Sequence, residues 1–387
     1  MAIDLEVYKW CRIVPVRFSR AKSGDPDAKI PQPDDRSYSG AEHGPIFGIL
    51  QGDTVAVRLR REALEAFTPL FVTSSDKSVF TVVDPPSDEI LPMGASIDIR
   101  IKGVGGGTPK TAKLEVRYST TLSAPFKGPV LHEATIWVWH PPLDLRVTPH
   151  LVTIQRNSGP MPRAARGTTA DVDKILEVAK AIWRPCGIRL LPSSGKSFKA
   201  AAKKHTIPLA TEGVVKIETV AGGEVDKILG LGNIPHTVNA YFFNRFDGEG
   251  TLGLGISPAT QADWGLANNG ILLADVTIVG GETRIHDVPW SGNDLAHEIG
   301  HFLTLPHVEN RHGDNPRNDT WSRRCLMHPS NRLPDARQPF QTDVGYGALT
   351  LGGVQRGRRG ALVTMKDLAQ LTTDGECTKA RGKVSAI

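Results

Sequence analysis

Over the first third of the chain, apolar and polar residues alternate in short runs. Thr54-Val55-Ala56-Val57-Arg58-Leu59, Ser78-Val79-Phe80-Thr81-Val82-Val83 and Ser96-Ile97-Asp98-Ile99-Arg100-Ile101 are β-prone, and clusters of Gly, Pro and Asp separate them. Gly103 to Pro109 predicts a loop or hairpin turn before a further alternating run, Ala112 to Arg117. The glycines do not read as a phosphate cradle, because neither a Lys-Ser/Thr ending nor a helical pattern follows them. Short strands without helices predict a small β-sandwich, immunoglobulin-like in kind. Trp137 to Pro142 reads as its last strand and the linker out. Ala21 to His43, rich in Pro, Asp, Ser and Gly, predicts a long loop or a disordered stretch.

Beyond the linker the period changes. Arg146 to Gln155 reads as a strand. Thr168 to Trp183 reads as an amphipathic helix, with Thr169 or Asp171 at its start and Val172, Ile175, Leu176, Val178, Ala179 and Ile182 on its apolar face. Gly187 to Leu191, Val238 to Phe243 and Gly270 to Ile278 predict three more strands, and a last helix follows. The expected fold class is α+β, with a β-rich N-terminal domain over 1–143 and an α/β domain over 144–387.

The last helix carries the chemistry. Asn293-Asp294 predicts its start, and Leu295, Ile299, Phe302 and Leu303 form its core-facing stripe. His297 and His301 stand one turn apart on another face, where two imidazoles can chelate a single ion. Glu298 is rotated about 100° from His297, so its carboxylate can address a water on the ion without binding the ion itself. With His307 as a third ligand the fourth position stays open. That is the arrangement of a catalytic zinc, which brings the pKa of a bound water down to about 7.

Composition narrows the picture. With 387 residues, 40% hydrophobic and 22% charged, the chain is globular and too long for one small domain. The net charge of +5 and pI near 9.0 come largely from Arg323 onward. No dense basic stripe with interleaved aromatics appears, so no nucleic-acid partner is expected. The four cysteines, Cys11, Cys186, Cys325 and Cys377, form no Cys-x-x-Cys pair and read as buried thiols. Cys325 and Cys377 share the C-terminal region, so one bridge between them is conceivable if the protein reaches an oxidising compartment. The N-terminus lacks the pattern of a classical signal peptide, and no apolar run approaches the roughly 20 residues of a membrane span. The expectation is a soluble chain, cytoplasmic on synthesis, whose export would need a leaderless route.

His297-Glu298-x-x-His301 with His307 resembles the metzincin zinc-binding consensus, and Leu326-Met327-His328-Pro329 resembles the Met-turn that lies under the metal in that family. Ile182-Trp183-Arg184-Pro185-Cys186 before Gly187-Ile188 resembles the first helix and second strand of its fold, and Leu362 to Leu371 would supply the C-terminal helix. The resemblance spans 144 to 382. It implies a zinc endopeptidase with one Zn2+ on His297, His301 and His307, Glu298 as general base, Met327 as a floor and a peptide or protein as substrate. It also implies that the strand holding Gly270, Ile271, Leu272 and Leu273 is the cleft edge, pairing an extended peptide; an interior strand is the alternative. Tyr346 would either reach the cleft from a later loop or pack elsewhere.

Two residues depart from the family. Pro329 stands where some metzincins carry a tyrosine. Thr304 stands where the family has the glycine that turns the chain toward the third histidine; a β-branched residue is strained at positive φ. Pro306 partly compensates by stopping the helix. The third ligand is therefore open between His307 and the substitutes Glu309, His312 and Asp314. The N-terminal domain, outside the resemblance, would position the enzyme or recognise a partner. A further reading, which concerns delivery and target rather than chemistry, is a leaderless effector exported by a bacterial secretion machine and acting on protein or cell-wall peptides. A different class of function is a binding or structural protein with a vestigial zinc site, and against it stands Glu298, needed only for turnover.

Overall fold

A computed structural model of the protein describes residues 17–19, most of 46–307, Leu326 and Met327, and 376–387 apart from 385 and 386. The fold is mixed and rich in strands, and it divides into two compact units. The first holds the chain up to Pro142 together with the turn Arg184–Gly187 and Cys377; the second begins at Leu143.

The first unit contains β1 (Arg17–Ser19), β2 (Ile46–Leu50), β3 (Thr54–Arg60), β4 (Leu70–Ser74), β5 (Phe80–Asp84), β6 (Ser96–Gly103), β7 (Lys110–Tyr118) and β8 (Val130–Trp139). They form two four-stranded sheets, in the orders β1-β3-β6-β5 and β2-β8-β7-β4. All neighbours are antiparallel except β2 and β8. The alternation seen along the chain sets which side chains go inward. Val57 and Leu59, Ile99 and Ile101, Leu114 and Val116, and Ile136 and Val138 enter one apolar cluster drawn from both sheets. Each contributes about 1.5–3 kcal/mol by leaving water. The segment Ala21 to His43 lies outside the described residues.

The second unit is organised around β9 (Leu143–Arg156). On one side β11 (Ile188–Pro192) runs parallel to its first residues and β12 (Lys203–Pro208) to its later ones. On the other side β13 (Val238–Phe243) runs parallel to Val147–Leu151, and β15 (Gly270–Ala274) parallel to β13. The sheet is completed by β10 (Gly159–Met161) and by β14 (Gly253–Ile256), an edge strand antiparallel to β15. Every residue of β13 and β15 is buried, as befits interior strands of a parallel sheet covered on both faces.

This corrects the expected role of Gly270 to Leu273. With β13 paired on one side and β14 on the other, that strand has no free edge on which to lay a peptide. Nor does it continue to Ile278. At Asp275 the backbone N–H turns to the carbonyls of Phe243 and Asn244, and Val276–Val279 (β16) pairs instead with Glu282–Ile285 (β17) in a separate ribbon.

Two long helices pack on each other: α1 (Thr169–Trp183) and, after the short helices α2 (Phe198–Ala201), α3 (Glu224–Leu229) and α4 (Pro258–Trp264), α5 (Val288–Phe302). The helix α5 begins at Val288, five residues before the expected Asn293 start. Pro289 suits the first turn, where no N–H is needed. Asn293 is consequently mid-helix and 1% exposed, and its two amide atoms find no hydrogen-bond partner among the described residues. Gly292 permits the close approach, since a Cβ there would overlap Val178 of α1, and the Trp183 indole donates to the Ala296 carbonyl at 3.1 Å.

The described C-terminal helix is α6 (Glu376–Val384), while Leu362 to Leu371 lies outside the described residues. Cys377 at its start is disulfide-bonded to Cys186, so these two are not the buried thiols expected, and Cys186 rather than the conceivable Cys325 is the partner of Cys377. Spacing along the chain could not show that Cys186, just past α1, lies within bonding reach of a residue 191 positions away. No helix among the described residues is long and apolar enough to cross a membrane.

Candidate metal centre

The exit of α5 decides where its histidines point. Leu305 N–H bonds back to the Gly300 carbonyl at 2.9 Å and Thr304 N–H to that of His301 at 2.8 Å. This double closure requires a left-handed residue at the helix exit. Thr304 takes it, with φ of +64°. The corner that glycine would occupy without strain is made by threonine at a cost of about 1 kcal/mol. The chain then returns, and His307 comes to His301 with the two Nε2 atoms 3.0 Å apart. The substitute ligands Glu309, His312 and Asp314 lie outside the described residues, as do Pro306 and Tyr346.

His297, His301 and His307 each offer one ring nitrogen, and the three lie within 4.8 Å of one another. His297 is 3% exposed; the other two are partly buried. The opposite ring nitrogens are engaged. His297 Nδ1 donates to the Leu326 carbonyl at 2.6 Å and His301 Nδ1 to that of Leu305 at 2.9 Å. A nitrogen facing a carbonyl must carry the hydrogen, so Nε2 is the unprotonated nitrogen of both rings, that of His301 facing His307 Nε2 at 3.0 Å. Three convergent imidazoles, two held in the ligating tautomer, fit zinc and the other borderline divalent metals. The group could hold a metal ion.

Met327 is fully buried against the motif helix, where a Cβ on Gly300 would overlap its Sδ. The turn at Leu326-Met327 thus does two things: one carbonyl orients His297, and one side chain fills the space that Gly300 leaves. The carboxylate of Glu298, in a residue 7% exposed, faces the edge strand β14. A Cβ on Gly253 would lie 2.5 Å from Glu298 Cγ and 2.6 Å from its Oε1. A Cβ on Gly255 would overlap the Glu298 carbonyl oxygen and stand 2.8 Å from His301 Cβ. Sequence reading missed both glycines, since they weaken the β pattern of their own strand. Their spacing of two before a buried Ile256 is the signal that was there. Gly270 to Leu273 are in the next strand inward.

A second histidine cluster, also unforeseen, sits in the sheet of the same unit. His150 on β9 is fully buried. Its Nε2 meets Asn239 Oδ1 at 3.0 Å and its Nδ1 meets His205 Nε2 at 2.8 Å. Asn239 Oδ1 also accepts from Ile234 N–H, and its Nδ2 donates to Asn233 Oδ1, which orients the amide. His150 Nε2 therefore carries the hydrogen, and Nδ1 accepts from His205. Tyr241 stacks on the His150 ring at 4.4 Å and donates its hydroxyl to the Leu229 carbonyl at 2.7 Å. Burial, aided by the nearby His205 and Lys203 and opposed by the Asn239 bond, pushes the His150 pKa down to about 4. Burial and Lys203 lower that of His205 as well.

In comparisons with protein-family models and with curated proteins, nothing matches this chain.

Proposed function

We propose that the chain is a zinc-dependent endopeptidase of the metzincin kind, carried with an immunoglobulin-like β-sandwich as its N-terminal module. The observation that carries this reading is the convergence of three imidazoles at the exit of a helix whose Glu298 carboxylate faces an edge strand. A zinc ion held by His297, His301 and His307 supplies Lewis acidity toward a carbonyl and acidifies a water. Glu298, turned about 100° around the helix from His297, would serve as the base that takes a proton from the attacking water and returns it to the leaving amine. The Leu326 and Leu305 carbonyls keep the rings turned so that their Nε2 atoms stay available.

The edge strand supplies the place for substrate. Ala274 N–H bonds to the Leu252 carbonyl at 2.8 Å, so Leu252, Leu254 and Ile256 form the hydrogen-bonded pairs with β15. The N–H and C=O of Gly253 and Gly255 then point away from β15, where no other described strand pairs with them. An extended peptide added there runs past Glu298.

The test is metal analysis together with peptide-library digestion on the wild type and Glu298→Gln. Both proteins should hold one zinc per chain, and the variant should lose cleavage by roughly 10²–10⁴-fold, the usual contribution of a general base. Equal cleavage by both would remove Glu298 from the chemistry. Bound zinc with no cleavage by either would favour a binding or structural protein.

A further inference from the structure

The two glycines that face α5 from β14 are not equivalent. Beside Gly255 the obstacles to a side chain are the Glu298 carbonyl oxygen and carbon and His301 Cβ, all parts of the helix that cannot move without moving the helix. Beside Gly253 all three nearest atoms, Cγ at 2.5 Å, Oε1 at 2.6 Å and Cδ at 2.7 Å, belong to the movable part of one side chain, that of Glu298. A methyl group at 255 meets backbone. At 253 the three atoms it meets first are those of the carboxylate arm.

From this asymmetry we propose that Gly253 is the positioning residue of the Glu298 carboxylate, an inference that rests on the zinc-peptidase reading of the site. The strand main chain forms the wall against which the carboxylate lies. Because position 253 has no side chain, that wall stands at the distance that keeps the carboxylate beside the histidine group. Any β-carbon at 253 occupies the volume of Glu298 Cγ and Cδ, and a flexible glutamate yields by rotating away at little cost to the fold. Gly253 also presents its N–H and C=O to the free edge of β14. One residue therefore sets both the carboxylate and the nearest hydrogen-bonding groups of the strand. This ties the register of a paired peptide to the position of the acid.

The experiment compares wild type, Gly253→Ala, Gly255→Ala, Glu298→Gln and the Gly253→Ala/Glu298→Gln double variant in the full chain. Metal content, thermal midpoint, peptide cleavage and the visible spectrum of the Co2+-loaded proteins are measured. Gly253→Ala should keep one metal per chain and a near wild-type midpoint, while kcat falls roughly a hundredfold with KM within about threefold, the scale expected of a group misplaced by about 1 Å. Its cobalt spectrum should shift from wild type toward that of Glu298→Gln, and the double variant should match Glu298→Gln alone. Gly255→Ala should lower the midpoint and metal content together.

The proposal is overturned if Gly253→Ala cleaves within twofold of wild type, or if it loses metal and midpoint as Gly255→Ala does. It is overturned too if its cobalt spectrum stays that of wild type while that of Glu298→Gln moves. The spectrum reads the carboxylate whether or not any peptide is cut, so a protein that binds cobalt yet cleaves nothing fails the peptidase reading and still decides the role of Gly253. A protein that takes up no metal overturns both.

Discussion

The second unit contains two histidine clusters of nearly equal internal distance, 3.0 Å between the Nε2 atoms of His301 and His307 and 2.8 Å between His150 Nδ1 and His205 Nε2. Their chemistry differs because of what holds the far side of each ring. At the helix site, backbone carbonyls of Leu305 and Leu326 take the Nδ1 hydrogens of His301 and His297, leaving lone pairs that converge. In the sheet, both nitrogens of His150 are consumed, one donating to Asn239 and one accepting from His205. Burial and proximity alone do not make a metal site; the outer hydrogen bonds choose between ligand and structural pair.

The comparison breaks first at His307→Ala. Dividing the about 10–16 kcal/mol of a four-ligand zinc site among its ligands gives on the order of 3 kcal/mol per imidazole, or roughly a hundredfold in affinity. Competition titration with a chelating dye should show that loss, and undiminished affinity would move the third ligand elsewhere. His205→Ala should leave zinc affinity unchanged.

His150→Ala should do the converse, costing about 2–4 kcal/mol of stability by orphaning Asn239 and His205 while sparing the metal. Its pH signature follows from the depressed pKa. The unfolded chain protonates near pH 6.5 and the folded one near 4. Stability is therefore complete above about pH 6.5 and declines as pH drops toward 4, by about 1.4 kcal/mol per unit and roughly 3 kcal/mol in all. His205, lowered too, adds in the same direction. Urea unfolding of wild type and His150→Ala between pH 7.5 and 5 should show the steeper loss in wild type; parallel curves would remove His150 as the cause.

The smallest effect sharpens the helix site alone. Thr304→Gly relieves about 1 kcal/mol of left-handed strain and, net of the extra freedom glycine has when unfolded, should raise stability by at most about 0.5 kcal/mol. A decrease in unfolding midpoint would mean that the threonine side chain contributes more than its backbone costs.

The helix motif was legible because its chelating residues are neighbours in sequence, and 3.6-residue periodicity converts that directly into geometry. The strands of the first unit were legible through alternation at Val57, Leu59, Ile99 and Ile101. What escaped depended on contacts between distant segments. The Gly253-Leu254-Gly255 strand hides because the missing side chains that let it approach α5 also remove its β signature. Asn293 imitates a helix cap, yet the helix already runs from Val288. Gly270 to Ile278 looks like one strand since nothing in it announces that Asp275 will turn toward Phe243 and Asn244. His150 and His205 are 55 residues apart, joined only by the pairing of β12 with β9.

The bond between Cys186 and Cys377 makes a covalent ring of the chain between them, and Gly253, Glu298, all three histidines and Met327 lie on that ring. A single peptide cut anywhere along its circumference opens the ring without releasing a fragment. Such a nicked molecule would migrate as one species under denaturing conditions and separate into two only after thiol treatment.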